Sequence, residues 1–189
     1  MKIGIVGGTG SGKMTVAQIL ATYGFQIIDA DRIGWEVIEE PGIKDRLVAE
    51  FGEGILKSGR IDRKVLGKIV FADKSKLDRL NQIVHPRLIE RLKQELKRDN
   101  DLVLDCALLA QFSLSDELDY IILVRAPVEL RKKRLIEKGL SEAEAEARIG
   151  SQDEYRGPFH FIIDNDAGIE KLKKECGRIM SEVGYDRCL

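Results

Sequence analysis

The amino-acid sequence predicts an α/β fold in which helices flank a five-stranded, mainly parallel sheet. Five short apolar runs recur along the 189 residues, and segments with helical periodicity separate them. Alternating strands and helices are typical of parallel sheets, since each parallel pair needs a crossover between its strands. A glycine-rich turn joins the first run to the first helical segment, as in a βαβ unit. The length suits a single domain, one α/β core with helical insertions.

The strands are predicted where apolar residues form short runs. The first run stops at glycines, as a buried parallel strand does. The five runs lie at residues 2–6, 25–28, 101–105, 120–124 and 161–163.

Helices are predicted from apolar residues at i, i+3 and i+4 spacing. The first helix begins at Lys13, and Gly24 is expected to close it. Residues 31–100 are mostly helical, with breaks at Pro41-Gly42 and Ser58-Gly59.

Further helices follow in the second half of the chain. The segment 74–98 contains Pro86, which predicts a kink or a break near His85. A helical segment at 128–152 is interrupted at Gly139, and a closing helix is predicted at 169–183.

The charge balance and hydropathy limit the classes of partner. The chain has 31 basic and 32 acidic residues, a formal net charge of −1. Proteins that bind nucleic acid usually carry a basic excess, so we expect no nucleic-acid partner. No stretch approaches the roughly 20 apolar residues of a membrane span, and the N-terminus lacks the pattern of a signal peptide. We expect a soluble, cytoplasmic protein without a membrane partner.

The three cysteines, Cys106, Cys176 and Cys188, are odd in number and lack the paired spacing of metal ligands. We expect reduced thiols and no zinc site.

Residues 7–13 match the G-x-x-x-x-G-K pattern of a phosphate-binding P-loop. Glycines let backbone N–H groups converge on phosphate oxygens where a Cβ would block them. The N-terminus of the following helix faces the same anion, and Lys13 reaches the β- and γ-phosphates. The alternative is a strand-to-helix turn with an incidental lysine. The flanking strand and helix favour a P-loop kinase fold that binds ATP through Gly8, Thr9, Gly10, Ser11, Gly12 and Lys13.

Met14 stands where the pattern normally has Ser or Thr, whose hydroxyl coordinates Mg²⁺. A thioether is a poor ligand for this hard cation. Thr15 lies one helical step further, about 100° around the helix, and can still hydrogen-bond an α-phosphate. Two hypotheses follow: carboxylates and water hold the metal with some loss of rate, or the protein binds nucleotide and turns over poorly. We favour the first, because Mg²⁺ commonly keeps several waters.

Two carboxylates, Asp29 and Asp31, directly follow the second strand. Ligands bind outside the carboxyl ends of parallel strands, and an extended backbone puts residues two apart on one face. One carboxylate then holds Mg²⁺ through water and the other accepts a proton from an attacking hydroxyl. The alternative is that Asp31 caps a helix over residues 32–38. Asp105, at the end of the third strand, is a second candidate near the metal.

Together these motifs resemble those of the dephospho-CoA kinase family, and the resemblance extends over nearly the whole chain. The matching segments are 7–13, 29–31, 40–42, 59–67, 69–71, His85-Pro86, 103–105, Leu108-Leu109, 139–142, 147–149, Ser151-Gln152 and 163–165. The resemblance implies ATP-dependent phosphorylation of the ribose 3′-hydroxyl of dephospho-CoA, with Mg²⁺. It also implies three sub-regions: a nucleotide-binding core (1–31, 100–127 and 156–189), a helical CoA-binding region (32–99) and a lid (128–155).

The resemblance also implies roles for particular residues. Asp31 is expected to be the general base, with Lys13 and Asp29 completing the catalytic group and Asp29 on the metal or its water. For ATP binding, the resemblance implies the phosphate loop together with Met14 and Thr15. It also implies that Arg134 and Arg148 are lid arginines and that Asp164 and Asn165 lie near the adenine. On the acceptor side we expect Asp31, Asp105, His85 and Arg63.

Other features qualify this picture. Arg32, Arg63, Arg87 and Arg91 are candidates to bind the acceptor's pyrophosphate, and the single tryptophan, Trp35, is expected in the core. The sequence departs from the family pattern at Met14, Ala107, Gln111 and Lys138. The rival hypotheses are another small-molecule kinase, of nucleoside or shikimate type, and a nucleotide-binding module with impaired turnover. The sequence gives no oligomeric state.

Overall fold

The computed structural model describes residues 1–151 and 155–185. The chain divides into two compact units. The first comprises Met1–Asp29 and the chain from Leu96 onward, and the second comprises Ala30–Glu95. Whether the whole chain is best counted as one domain with three sub-regions stays a prediction.

The secondary structure confirms an alternation of strands and helices. The strands are β1 (Lys2–Val6), β2 (Gln26–Asp29), β3 (Leu56–Lys57), β4 (Arg60–Ile61), β5 (Leu102–Asp105), β6 (Tyr120–Arg125) and β7 (Phe161–Asp164). The helices are α1 (Lys13–Ala21), α2 (Ala30–Val37), α3 (Pro41–Phe51), α4 (Arg63–Phe71), α5 (Lys74–Leu96), α6 (Val128–Glu137), α7 (Glu142–Gly150) and α8 (Ile169–Glu182).

The first unit is built on a five-stranded sheet in the order β2-β5-β1-β6-β7, with every neighbouring pair parallel. The central strands are apolar and buried on both faces, as parallel strands covered by helices are. Helices α1 and α8 bury side chains in one core with β1, β6 and β7. All five carboxyl ends therefore lie along one edge of the sheet, where α/β proteins bind ligands.

The second unit contains α2 to α5 and a hairpin formed by β3 and β4. Asp62 is the N-cap of α4, since its side chain accepts hydrogen bonds from the N–H groups of Lys64 and Val65. Pro41 is the first residue of α3. The N–H at this position has no hydrogen-bond partner within a helix, so proline costs no helical hydrogen bond there.

Several predicted boundaries need correction. The break at Ser58-Gly59 is the turn of the β3–β4 hairpin, which we did not predict. Helix α5 is continuous across Pro86, so the predicted break is wrong, whereas a bend there stays a prediction. The first helix ends at Ala21 rather than at Gly24, although Gly24 has the positive φ of a chain reversal. Gln152 and Cys188 lie outside the described residues.

None of the helices within residues 1–151 and 155–185 combines the length and the apolar character that crossing a membrane requires.

Candidate active site

The phosphate loop connects β1 to α1, at the carboxyl end of the sheet's central strand. Three of its glycines have φ in the region that favours glycine: Gly7 at 143°, Gly10 at 79° and Gly12 at 99°. A Cβ at Gly7 would overlap the Val124 carbonyl oxygen on β6. The loop therefore lies directly against the neighbouring strand, and only glycine fits there.

The start of α1 is open to an anion. Gly12 is the N-cap and provides no capping side chain, so the first N–H groups of α1 have no side-chain partner at that position. Ser11 is only 1% exposed, and no residue of the described chain hydrogen-bonds to its Oγ atom. A buried hydroxyl without a partner is costly, and a phosphate oxygen would satisfy it. Lys13 and Thr15 are half-buried in the first turn of the helix.

Met14 is half-buried and packs against the core formed by the sheet with α1 and α8. Its side chain thus adds apolar surface to the core. It offers no hard oxygen ligand for Mg²⁺.

Two arginines of α6 bind the carbonyl side of the phosphate loop. Arg131 donates from Nε to Thr9 O at 2.7 Å. Arg134 donates from Nη1 to Gly10 O and to Ser11 O, both at 3.3 Å. Sequence analysis anticipated Arg134 but missed Arg131. Their spacing of three residues puts both on one face of α6, which was the available signal.

Asn165 connects this network to β7. It is 4% exposed, and its Nδ2 donates to Ser11 O at 2.7 Å. Its Oδ1 and its backbone oxygen accept from Arg134 Nη2 at 3.0 and 3.2 Å. A Cβ at Gly12 would overlap the Asn165 amide. The phosphate loop, α6 and the segment after β7 therefore form one hydrogen-bonded assembly.

The neighbouring Asp164 has a different environment. Arg125 binds both of its carboxylate oxygens, at 2.8 and 2.9 Å, and both side chains are about half exposed. This bidentate pair raises the pKa of the Arg125 guanidinium above its usual value, chiefly through the hydrogen bond to Asp164. Asp164 and Asn165 thus lie side by side at the end of β7, one exposed and one buried.

Arg148, the second predicted lid arginine, lies exposed on α7. Helix α7 begins with a capping box between Ser141 and Glu144. Lys132 of α6 bonds Glu146 of α7 at 2.6 Å. This exposed pair links the two helices of the predicted lid, and the arginines named above bond the first of them to the phosphate loop.

The carboxylates Asp29 and Asp105 are paired in register at the ends of the adjacent strands β2 and β5. Both are half-buried. They supply hard oxygen atoms at the carboxyl edge of the sheet, the donor chemistry that suits Mg²⁺. No group of three or more metal-binding side chains occurs in the ranges 1–151 and 155–185. The residues present therefore fit a cation that keeps most of its waters.

Asp31 does not lie on an extended backbone, so the predicted pairing of Asp29 and Asp31 on one face of a strand is wrong. It is the second residue of α2 and is exposed. It is also not the N-cap of a helix over 32–38, because α2 begins at Ala30. An acidic side chain in the first turn is favoured by the helix dipole.

In the second unit, the guanidinium of Arg63 lies over the ring of Trp35, 4.6 Å from its centroid. Trp35 is 38% exposed, so its predicted place in the core is wrong. His85 is half-buried on α5, and burial lowers the pKa of its imidazole.

The other candidate arginines of this unit have carboxylate partners. Arg87 and Arg91 both bond Glu40, at 2.6 and 2.8 Å, and Arg32 bonds Glu36 at 3.2 Å. These contacts assign them a structural role in addition to any role with an acceptor.

A cavity of about 520 Å³ lies beside the phosphate loop. Its lining includes Gly7 and Gly8, together with Ala107 and Gln111 from the loop after β5 and Arg156 from the segment before β7. Two of the positions that depart from the family pattern, Ala107 and Gln111, therefore border the same space as the phosphate loop. Lys138, another of these positions, is the C-cap of α6.

The fold and the loop define a P-loop kinase that acts on a small molecule. A sequence model of the dephospho-CoA kinase family matches residues 1–171. The chain is 40% identical to a dephospho-CoA kinase of Thermobifida fusca, over 97% of this chain and 96% of the relative. It is 36% identical to one of Aquifex aeolicus, over 98% of both. The chain belongs to the dephospho-CoA kinase family.

Solved structures agree with this assignment. A Thermus thermophilus protein, TT1252, is similar with a TM-score of 0.79 and 32% identity, over 97% of both chains. The dephospho-CoA kinase from Campylobacter jejuni has a TM-score of 0.65 and 27% identity, over 97% of this chain and 98% of that one. A shikimate kinase from Acinetobacter baumannii has a TM-score of 0.55 at 18% identity, covering 100% and 95% of the two chains, and shares the fold alone.

Proposed function

We propose that this chain transfers the γ-phosphoryl group of ATP to the ribose 3′-hydroxyl of dephospho-CoA and releases CoA and ADP. The observation that carries the proposal is the phosphate loop, which lies at the carboxyl edge of a parallel sheet in a member of this kinase family. Phosphoryl transfer needs little covalent chemistry from the protein, so positioning and charge stabilisation are the functions to assign.

The β- and γ-phosphates are assigned to the loop from Gly8 to Lys13. The open N–H groups at the start of α1 and the unpartnered hydroxyl of Ser11 are suited to phosphate oxygens. Lys13 supplies a mobile positive charge. Thr15, two residues further along α1, is assigned to the α-phosphate.

The adenine is assigned to the end of β7, where Asp164 is the last residue of the strand and Asn165 follows it. Arg148, exposed on α7, is assigned to charge on the phosphates after closure of the lid. Closure of this kind excludes water and so limits hydrolysis of ATP.

The acceptor hydroxyl needs a proton acceptor, and we assign this role to Asp31. Support comes from the family resemblance and from the exposed position of its carboxylate in the first turn of α2. Asp105, His85 and Arg63 are assigned to the acceptor on the same resemblance. The Arg63 side chain is exposed and stacks on Trp35, which leaves its N–H groups able to bind an anion.

Mg²⁺ would be held by Asp29, through water, with Asp105 beside it. When bound, the ion neutralises charge on the transferred phosphates. Asp29 is the better donor for this role than residue 14, since Met14 packs on the core and provides no oxygen.

The test is release of ADP from ATP and Mg²⁺, measured with and without dephospho-CoA, on the wild type and on Asp31→Asn. We expect release that depends on dephospho-CoA and that collapses in the variant, because the carboxamide cannot accept the proton. Shikimate and nucleosides serve as control acceptors, and neither should support release of ADP.

A second candidate function is nucleotide binding with impaired turnover, which the position of Met14 favours. ATP binding without acceptor-dependent release would support it and would refute the kinase proposal. In that case Met14→Ser becomes the decisive variant, since it restores a hydroxyl at the metal position.

We also propose a cytoplasmic location, based on Cys176, whose thiol is buried and free. The small-molecule partners are ATP and dephospho-CoA, and we assign no nucleic-acid partner.

A further inference from the structure

The hydrogen bonds around the phosphate loop give Arg134 a different task from charge neutralisation. A guanidinium has five N–H groups, of which four are on the two terminal nitrogens. In this structure Nη1 donates to Gly10 O and Ser11 O, and Nη2 donates to the backbone oxygen and Oδ1 of Asn165. All four terminal N–H groups are therefore directed at protein oxygens.

We infer that Arg134 and Asn165 together form a brace that holds the phosphate loop in its anion-binding conformation. Arg134 is thus a positioning residue, acting through the loop rather than through a bond to phosphate. The inference rests on the proposed binding of ATP at this loop.

The geometry of the peptide unit explains how such a brace works. In a planar trans peptide, the carbonyl of one residue points opposite to the N–H of the next. The carbonyls of Thr9, Gly10 and Ser11 all accept bonds from the Arg131, Arg134 or Asn165 side chains. The next N–H groups consequently point away from these side chains.

One of those N–H groups, that of Ser11, closes a turn onto Gly8 O at 3.1 Å. The amides of Gly10 and Gly12 are left to face the phosphate side of the loop. Hydrogen bonds to a carbonyl also polarise the amide and strengthen its N–H as a donor. The brace therefore orients the loop's donors and makes them stronger.

Burial and close packing indicate that the brace is rigid. Asn165 is 4% exposed, and its Nδ2 bond to Ser11 O, at 2.7 Å, is the shortest of the brace. Its backbone N–H also donates to Arg125 O at 2.7 Å, which continues the pairing of β7 with β6. The sheet thus fixes Asn165, Asn165 fixes Arg134, and both fix the loop.

The two possible roles of Arg134 predict different results for Arg134→Lys. A lysine retains the positive charge and can still bind a phosphate as a point charge. It cannot reproduce a planar fork that reaches four oxygens. Under the brace, both Arg134→Ala and Arg134→Lys weaken binding of ADP about ten- to hundredfold, the range expected when hydrogen bonds to a charged group are lost.

The experiment is calorimetric titration of ADP into full-length protein at several concentrations of NaCl. The proteins are the wild type, Arg134→Ala, Arg134→Lys, Asn165→Ala and the double variant Arg134→Ala/Asn165→Ala. Arg178→Ala is the matched control, since Arg178 is an exposed arginine of α8 that bonds only Glu175 and Glu182 among the described residues. We expect its affinity for ADP to equal that of the wild type. Thermal unfolding of each variant establishes that it is folded before its affinity is interpreted.

Two further readouts separate a brace from a phosphate contact. The dependence of affinity on salt should stay unchanged in Arg134→Ala, because no charge–phosphate contact has been removed. The double variant should be no weaker than the weaker single variant, since both substitutions break one unit.

The outcomes are distinguishable. Restored affinity in Arg134→Lys, a weaker salt dependence in Arg134→Ala, or additive losses in the double variant would each overturn the brace. If Arg134→Ala does not fold, Arg134→Lys and Asn165→Ala still decide the question. A wild type that binds no ADP would instead refute the proposed function.

Discussion

Addition of a single methyl group, by Gly12→Ala, tests the structure of the phosphate loop most directly. Gly12 has φ 99°, and a Cβ there would lie far closer to Asn165 Nδ2 than the 3.0 Å below which real Cβ atoms are essentially never found. Alanine in a left-handed conformation costs about 1–2 kcal/mol. Displacing the Asn165 amide from Ser11 O costs a further 1–3 kcal/mol or so, because the bond is buried.

The expected destabilisation is therefore about 2–5 kcal/mol, since both costs apply together. In a protein of this size, each kcal/mol lowers the melting temperature by about 2–4 °C. We expect Gly12→Ala to melt roughly 4–20 °C below the wild type and to bind ADP more weakly. Calorimetric melting and titration measure both quantities.

Gly150→Ala is the matched control, because Gly150 ends α7, lacks a positive φ and has no atom of the described residues within 4 Å of a Cβ placed on it. Alanine is favoured over glycine in helices, so the control should melt at or slightly above the wild-type temperature. An unchanged melting temperature in Gly12→Ala would refute the geometry of the loop described above.

Three further results are expected. The pKa of Glu40 is lowered, chiefly by the hydrogen bond from Arg87. The ionised carboxylate therefore stabilises the folded protein above the unfolded-state pKa of 4.5, and this stabilisation is lost as pH falls through the lower folded-state pKa. Acid unfolding of Glu40→Gln, followed by circular dichroism, should depend less on pH below 4.5 than that of the wild type, and an identical profile would contradict this. Burial raises the pKa of the Cys176 thiol to about 12, so the native protein should show no reaction at that residue with a thiol reagent at pH 8, and Cys176→Ala should match the wild type until both are unfolded. Asp29→Asn should raise the Mg²⁺ concentration required for half-maximal ADP release about tenfold or more. Asp45→Asn, at an exposed aspartate, is the control. An unchanged Mg²⁺ requirement in Asp29→Asn would show that Asp29 is not part of the metal site.

The parallel sheet could be predicted because the signal for each strand is local. The run Lys2–Val6 is apolar at every buried position, and glycines end it. The phosphate loop was predictable for the same reason, since the two glycines that the pattern requires, Gly7 and Gly12, both have positive φ. In both cases the necessary information lies within about ten residues of chain.

The misses share a different cause. The β3–β4 hairpin has strands of two residues each, too short for an alternating pattern. Trp35 is exposed although the guanidinium of Arg63, 28 positions away, lies over its ring, and hydrophobicity alone gives no sign of this contact. Pro86 lies within α5 although it cannot donate a helical hydrogen bond. The local sequence signal is weak or misleading at each of these positions.

The roles of Arg131 and Arg134 were also beyond local reasoning. Their partners in the phosphate loop are more than 120 residues earlier in the chain. A charged helix with many arginines and lysines does not indicate which of them bind backbone oxygens. The sequence could assign Arg134 to the site but could not show that its donors are directed at carbonyls.

The same contacts explain why Met14 is compatible with an intact phosphate loop. The loop's conformation depends on its glycines, on the carbonyl bonds from α6 and on Asn165. None of these involves the side chain of residue 14, which packs on the core instead. Loss of the usual hydroxyl therefore removes a metal ligand without removing the phosphate cradle, and the two functions can vary independently. Nucleotide affinity should accordingly depend on Arg134 and Asn165, and the metal requirement on Asp29 and residue 14.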